Sequence, residues 1–376
     1  VGESARLVDL VQSRIDRELS DRSSILAEIG RETAPIVQTC KQLLSGGKRF
    51  RALFCYWGWQ AVHGELASFD PIGEPDAVAR ITPVVAAATA LELFHAAALV
   101  HDDIIDRSDV RRGAPSVHRA FARLHEDSGW LGSPDEFGAA AGILVGDLLQ
   151  SWSDDVFASA LRALPEGERS PSAAAARRDF ERMKTEVTAG QYLDVLDERS
   201  WLDMPDADAL ERIHRVIVYK SAKYSVQAPL LIGAGLAGAR PEQRAALEGL
   251  GLPLGIAFQL RDDVLGVFGD EAVTGKPAGD DLRDGKHTML IALTRRTLAG
   301  GARRAFDELL GDRGLEAAQI QMLRNTVRET GALARVEELI ADNVQRALGM
   351  LESAPLSQAA RSELARLGRN VADRSS

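Results

Sequence analysis

His101-Asp102-Asp103-Ile104-Ile105-Asp106 decides how this chain is read. On a helix, Asp102 and Asp106 lie about 40° apart around the axis and one turn apart along it. Carboxylates stacked in this way repel unless a cation sits between them. At the end of an otherwise apolar helix, the pair points to a hard, oxygen-seeking metal, Mg²⁺ first. His95 stands seven residues ahead of Asp102, close to two turns back along the same wall. Arg111 and Arg112 follow the run, and their planar guanidinium groups suit a phosphate. Carboxylates, arginines and a greasy helix together describe a site for a lipid diphosphate.

A second acidic set repeats the pattern. Phe258-Gln259-Leu260-Arg261-Asp262-Asp263 again ends an apolar helical run with an Asp pair. After it come Gly275-Lys276-Pro277, Asp280-Asp281 and Gly285-Lys286-His287-Thr288, and near the start lies Gly46-Gly47-Lys48-Arg49-Phe50-Arg51. One such pair alone still has a solvated helix end as its bland alternative. Two suggest facing elements aimed at one cavity mouth. With this ordered set between positions 46 and 288, together with Tyr219-Lys220-Ser221, the chain resembles the trans-isoprenyl diphosphate synthases, the family of farnesyl and geranylgeranyl diphosphate synthases.

The resemblance implies head-to-tail condensation of isopentenyl diphosphate with an allylic diphosphate, begun by ionising the allylic C–O bond. It implies Mg²⁺ as cofactor, three ions, with Mn²⁺ a substitute, and a homodimer. Metal ions neutralise the phosphate oxygens of the leaving group as no side chain can unaided. Asp102 and Asp106 are then the metal ligands of the first set, with Asp103 a bridging partner or one layer out, and Asp262, supported by Asp263, serves the second. Arg111, Lys220 and Lys276 would hold the allylic diphosphate, with Gln191 near them and Asp194 pairing with a lysine or a metal-bound water. Lys220, flanked by apolar residues in mid-helix, is costly without an anion to meet unless it snorkels to the surface.

Lys48, Arg51, His95 and Arg112 match the family positions of a basic, metal-free pocket for isopentenyl diphosphate. Arg49 fits the same motif or faces solvent, and Lys286 belongs to the last one. Ser221 and Gln259 are candidates to steady the intermediate cation with their dipoles, and pyrophosphate itself would take the final proton. One position departs from the family pattern: Gly266 stands where the second motif commonly has its last Asp. Asp270 is expected to substitute for it in part.

Ala97 and Ala98 precede the first motif where farnesyl-making relatives usually carry bulky rings, so the tunnel floor there is open. Phe94 lies one turn deeper, about 5.4 Å, close to one isoprene unit. It is the expected new floor, which gives geranylgeranyl diphosphate. Longer products follow if the ring swings aside, and farnesyl diphosphate remains an alternative. The rival readings are a class I terpene cyclase, which would not need the isopentenyl pocket, and a noncatalytic synthase subunit, which would lose more of the aspartates and cations.

Composition agrees with helix. The chain has 376 residues, 45% hydrophobic and only 5% aromatic, and alternating β-branched runs are almost absent. The expected fold is all-α: one domain over 1–376, a bundle of about 10–14 helices around a central hydrophobic cavity. Helical periodicity runs roughly over 5–30, 34–45, 48–62, 80–106, 114–126, 137–163, 174–197, 207–237, 241–268 and 286–299, with shorter helices through 302–370. The intervening breaks include 70–75 and 204–206.

A net charge of −10 argues against general nucleic-acid binding. Cys40 and Cys55 read as two buried thiols in a reducing compartment. The N-terminal stretch has no basic start followed by an apolar core, so no secretory signal is expected. The longest apolar run, Ile81 to Val100, is interrupted by Glu92 and His95 and falls short of a stable membrane span of about 20 residues. A cytoplasmic protein is the expectation.

Overall fold

Apart from one short hairpin, the described residues of this computed structural model (3–63, 75–201, 208–269 and 279–372) form helices and their connecting turns. In chain order the α-helices are α1 (Glu3–Ile29), α2 (Ala34–Leu44), α3 (Phe50–His63), α4 (Pro75–Ile105), α5 (Val117–Asp127), α6 (Pro134–Arg162), α7 (Pro171–Ser200), α8 (Ala209–Val216), α9 (Ala228–Leu236) and α10 (Pro241–Phe268). They continue as α11 (Asp280–Asp284), α12 (Met289–Thr297), α13 (Gly300–Leu309), α14 (Ala317–Glu329), α15 (Ala332–Glu352) and α16 (Gln358–Ala372). Between α8 and α9 the chain winds as a π-helix, Ile217–Gln227. The hairpin pairs Val110–Arg111 with Ala114–Pro115. The chain divides into two compact units, residues 1–177 with 229–239 and residues 178–228 with 240–376.

In the first unit α4 is packed on most sides, by α6 above all and by α1 and α3. A helix apolar all round needs such cover. By length and composition Val78–Ile105 is able to cross a membrane, further than the sequence reading allowed, but 83% of its apolar window is buried inside the protein. Glycines let α6 close on the end of α4 that carries the acidic run. A Cβ on Gly142 would stand 2.8 Å from Ile104 Cδ1, and one on Gly146 would overlap the His101 ring. Ser133 starts α6 by accepting the Glu136 N–H, with Pro134 at the first helical position. Cys40 and Cys55 are buried free thiols, and burial raises both, Cys40 to about 12.

In the second unit α10 packs against the π-helix and α15. Three glycines let backbones meet the π-helix. A Cβ on Gly190 would collide with the Lys220 backbone, one on Gly251 would lie 2.8 Å from Gln227 Cα, and one on Gly255 2.7 Å from Ala222 Cα. Arg261 clamps α10 to α15 through two bonds to Glu337, 2.6 and 2.7 Å. A π-winding is rare and occurs frequently at functional sites. This one carries Lys220 and Ser221.

Candidate active site

The first acidic run caps α4. Its helical ladder continues through the motif, the Asp106 N–H donating to Asp102 C=O at 2.8 Å, so both carboxylates leave one side of the helix. Asp102 and Asp106 are half-buried, while Asp103 is 1% exposed. Arg111 folds back from the hairpin onto Asp103, its Nε donating at 2.9 Å with Nη2 also engaged, and its Nη2 lies 3.6 Å from Asp102 Oδ2. Burial alone would lower Arg111. Its hydrogen bonds to Asp103 and the charges of Asp103, Asp102 and Asp106 outweigh burial and raise it.

The same unit gathers the predicted basic residues. His95 is half-buried on α4. It is held well below its ordinary value by burial first, then by Arg51, Arg112, Arg111 and Arg49. Arg112 is lowered by burial and by Arg49, partly offset by Glu92. Its guanidinium lies over Gly47, where a Cβ would meet Nη1 at 3.2 Å, and donates to Leu43 C=O at 3.3 Å. Gly47, at φ 97°, thus supplies both the turn and the room. Arg111 and Arg112 also line a cleft of about 270 Å³ with the end of α2, from Thr39 to Ser45, and with Ala114 to Val117. Lys48 is exposed and Arg51 half-buried.

Arg49 faces inward and belongs to the scaffold. It is 4% exposed, adopts φ 49°, and bonds Glu92 at 3.0 Å, Gln12 at 2.7 Å and the Leu44 carbonyl. The GGKR turn is therefore pinned to α1 and α4 by the one basic residue of the motif that points into the core.

In the second unit Asp262 is exposed near the end of α10 and Asp263 is buried. Gln259 donates to Asp263 Oδ1 at 2.8 Å. Burial pushes Asp263 well above the usual carboxylate range. Gln259 opposes that shift, Asp281 and Asp262 add to it, and Lys286 opposes it. Lys220 on the π-helix makes an ion pair with Asp194 of α7. Lys223, the next cation along, pairs with Glu186 at 2.9 Å and lies over the Tyr219 ring. Gln191, Ser221 and Lys286 are half-buried. Lys276 and Asp270 lie outside the described residues.

Sequence reasoning missed two features here. Asp281 stands against Gly266: a Cβ added at 266 would fall inside the Asp281 carboxylate. The repeated Asp280-Asp281 was the available signal. Asp197 is the other, gripping Arg212 at 2.8 Å beside His287, next in sequence to Lys286.

The donor chemistry fits Mg²⁺. Each predicted ligand is a carboxylate, and among the described residues no three His, Cys, Asp or Glu side chains form a ready-made cage. Mg²⁺ is commonly held by one or two carboxylates with waters and substrate phosphates completing its octahedron. It needs no such cage.

Aspartate pairs ending apolar helices, arginines gathered about a half-buried histidine and a lysine set in a π-helix define a class, the helical enzymes that handle prenyl diphosphates. Residues 34–327 match the profile described as polyprenyl synthetase, and the chain belongs to that family. It is 31% identical over 323 residues to the geranylfarnesyl diphosphate synthase of Aeropyrum pernix, covering 86% of this chain and 88% of that one. With the farnesyl diphosphate synthase of Geobacillus stearothermophilus it shares 33% over 307 residues, 80% of this chain and 85% of that one. Its fold superposes on a crystal structure of geranylgeranyl pyrophosphate synthase from Corynebacterium glutamicum, complexed with isoprenyl diphosphate and magnesium. That match has a TM-score of 0.88 and 34% identity and covers 98% of this chain and 99% of the other. The all-α fold is thus that of the isoprenyl diphosphate synthases, and the protein is a prenyltransferase that makes trans-prenyl diphosphates.

Proposed function

We propose that this enzyme is a Mg²⁺-dependent geranylgeranyl diphosphate synthase, acting as a cytoplasmic homodimer. Asp102, Asp106 and Asp262 would hold the metal, which when bound neutralises the allylic diphosphate oxygens so that pyrophosphate can leave. Lys220, Arg111 and Lys276 bind that diphosphate, with Gln191 beside them. Asp103 orients Arg111, and Asp194 orients Lys220. Lys48, Arg51, His95 and Arg112 hold the diphosphate of isopentenyl diphosphate, where a neutral imidazole among arginines donates a hydrogen bond without adding to the crowded positive charge. Ser221 and Gln259 turn their dipoles toward the cation.

One observation carries the product assignment. On unbroken α4, Phe94 is 5% exposed and lies one turn below half-buried Ala98, with Ala97 2% exposed beside it. A bulky ring thus stands one turn, about one isoprene length, along α4 from Ala98, which supports reading it as the floor. The relatives named above carry names of both shorter and longer products. The test is incubation of the purified enzyme with isopentenyl diphosphate, Mg²⁺ and each allylic starter in turn. Mass analysis is expected to return the twenty-carbon diphosphate, and farnesyl diphosphate as sole product would overturn the assignment. Sedimentation at assay concentration reads the dimer.

A further inference from the structure

We infer that Trp201 and His287 are positioning residues for Lys286: the Trp201 ring pins His287, and the pinned histidine holds the preceding lysine at the second acidic pair. The inference rests on the diphosphate reading above, with Lys286 a cation that meets the diphosphate. Trp201 directly follows α7 and is half-buried. His287 meets its ring edge to face, the centroids 4.5 Å apart and the planes at 82°. The Arg295 guanidinium of α12 lies over the same ring at 4.1 Å, and Asp307 of α13 holds that arginine through bonds of 2.8 and 3.3 Å. His287 Nδ1 lies 4.0 Å from Asp197 Oδ2, while the other oxygen of that carboxylate accepts from Arg212. Two ion pairs thus frame one indole and one imidazole. Edge-to-face rings and cation–π contacts are directional, so they fix angle as well as distance.

The backbone carries this constraint to the lysine. Gly285 leads in at φ 70°, a conformation that favours glycine. The Lys286 N–H donates to Asp281 C=O at 3.0 Å, and the Thr288 N–H donates to Lys286 C=O at 3.0 Å. The second bond closes a three-residue turn with His287 at its centre. In so short a turn the torsions of the central residue set where the first one points, so a pinned His287 aims Lys286. Thr288, 8% exposed, then starts α12. The Lys286 charge opposes the effect of burial on Asp263, which sets the lysine near the end of α10 that bears the acidic pair. With the turn already fixed, binding an anion orders only the lysine side chain and not the backbone beneath it.

A double-mutant cycle in the full chain tests this: wild type, W201A, K286A and W201A/K286A. H287A and H287A/K286A make a second cycle, and W201F is the conservative variant. The readouts are calorimetric binding of inorganic pyrophosphate at saturating Mg²⁺ and, separately, KM and kcat for condensation. W201A and H287A are each expected to weaken pyrophosphate about tenfold, the low end for groups that orient a ligand-bearing side chain. Both are expected to raise KM for the allylic substrate more than they lower kcat. W201F, which keeps a ring against His287, is expected to stay near wild type. In the K286A background neither change is expected to weaken pyrophosphate further. The H287A cycle decides alone where W201A fails to fold. Equal losses with and without Lys286, or unchanged binding in W201A and H287A, would mean that the rings only pack α7 on α12, and overturn the inference. K286A that binds pyrophosphate as wild type does overturns it as well. Wild-type enzyme that binds pyrophosphate with Mg²⁺ but does not condense the substrates instead overturns the functional reading.

Discussion

Arg49 and Glu92 form a buried ion pair, Nη1 to Oε2 3.0 Å, with side chains only 2% and 3% exposed. It joins the glycine turn of the GGKR motif to the middle of α4, three residues before His95. Glu92 also accepts the Ala52 N–H at 3.3 Å, so the start of α3 hangs on the same carboxylate.

Removing one partner leaves a buried charge, which costs about 3–5 kcal/mol, whereas replacing both with apolar groups costs far less. Arg49→Met is therefore expected to lower the urea midpoint sharply, and Arg49→Met/Glu92→Leu to recover much of the loss. Equal destabilisation by the single and double variants would show that the pair is not the anchor.

This anchor marks where the sequence stopped being legible. Helix positions were readable because apolar residues recur with helical period, and the acidic and basic motifs because their spacing has few other uses. Arg49 was not, since a motif gives residue types and not directions; its inward turn depends on φ 49° and on Glu92, 43 residues away. The span 207–237 read as one helix because an apolar pattern over so short a stretch does not tell i→i+4 from i→i+5 hydrogen bonding; the backbone winding at Ile217–Gln227 reveals the π segment. Periodicity placed the start of α4 near 80, but the helix begins at Pro75 and takes Pro83 inside. The Gly266–Asp281 relation spans a turn whose closure no local pattern encodes.

Asp102 and Asp103 are neighbours with separable roles. Asp102→Asn is expected to reduce kcat about a hundredfold or more at saturating substrate, since it withdraws charge where the leaving group develops it, while leaving the melting temperature nearly unchanged. Asp103→Asn instead loosens Arg111, and is expected to cost about 3 kcal/mol of stability and to raise KM for the allylic substrate. Denaturant melts beside steady-state kinetics separate the two, and identical profiles would refute the division.

His95 makes stability depend on pH in a definite direction. Its folded value lies well below the unfolded value of about 6.5, so between the two the unfolded chain binds the extra proton and stability rises with pH. The contribution is complete above about pH 6.5 and is lost as the pH falls toward the folded value. His95→Gln, which keeps a donor but cannot titrate, is expected to flatten the acid side of the stability curve relative to wild type. Parallel curves from pH 7.5 to 5 would mean that the imidazole is not held neutral.

Phe94 and Ala98 lie one turn apart on the same face of α4, one large and one small. If the growing chain runs along this face, its length is set by the first ring it meets. Phe94→Ala removes that ring and is expected to shift product mass upward by at least one five-carbon unit. Ala98→Phe moves the obstruction up by about 5.4 Å and is expected to stop growth one unit early. Because Phe94 is buried, its truncation also costs about 3–5 kcal/mol, so products are compared at a temperature where both variants remain folded. Opposite shifts in product mass are the signature of a floor on α4. Variants that only slow turnover, with wild-type products, would move the floor to another helix.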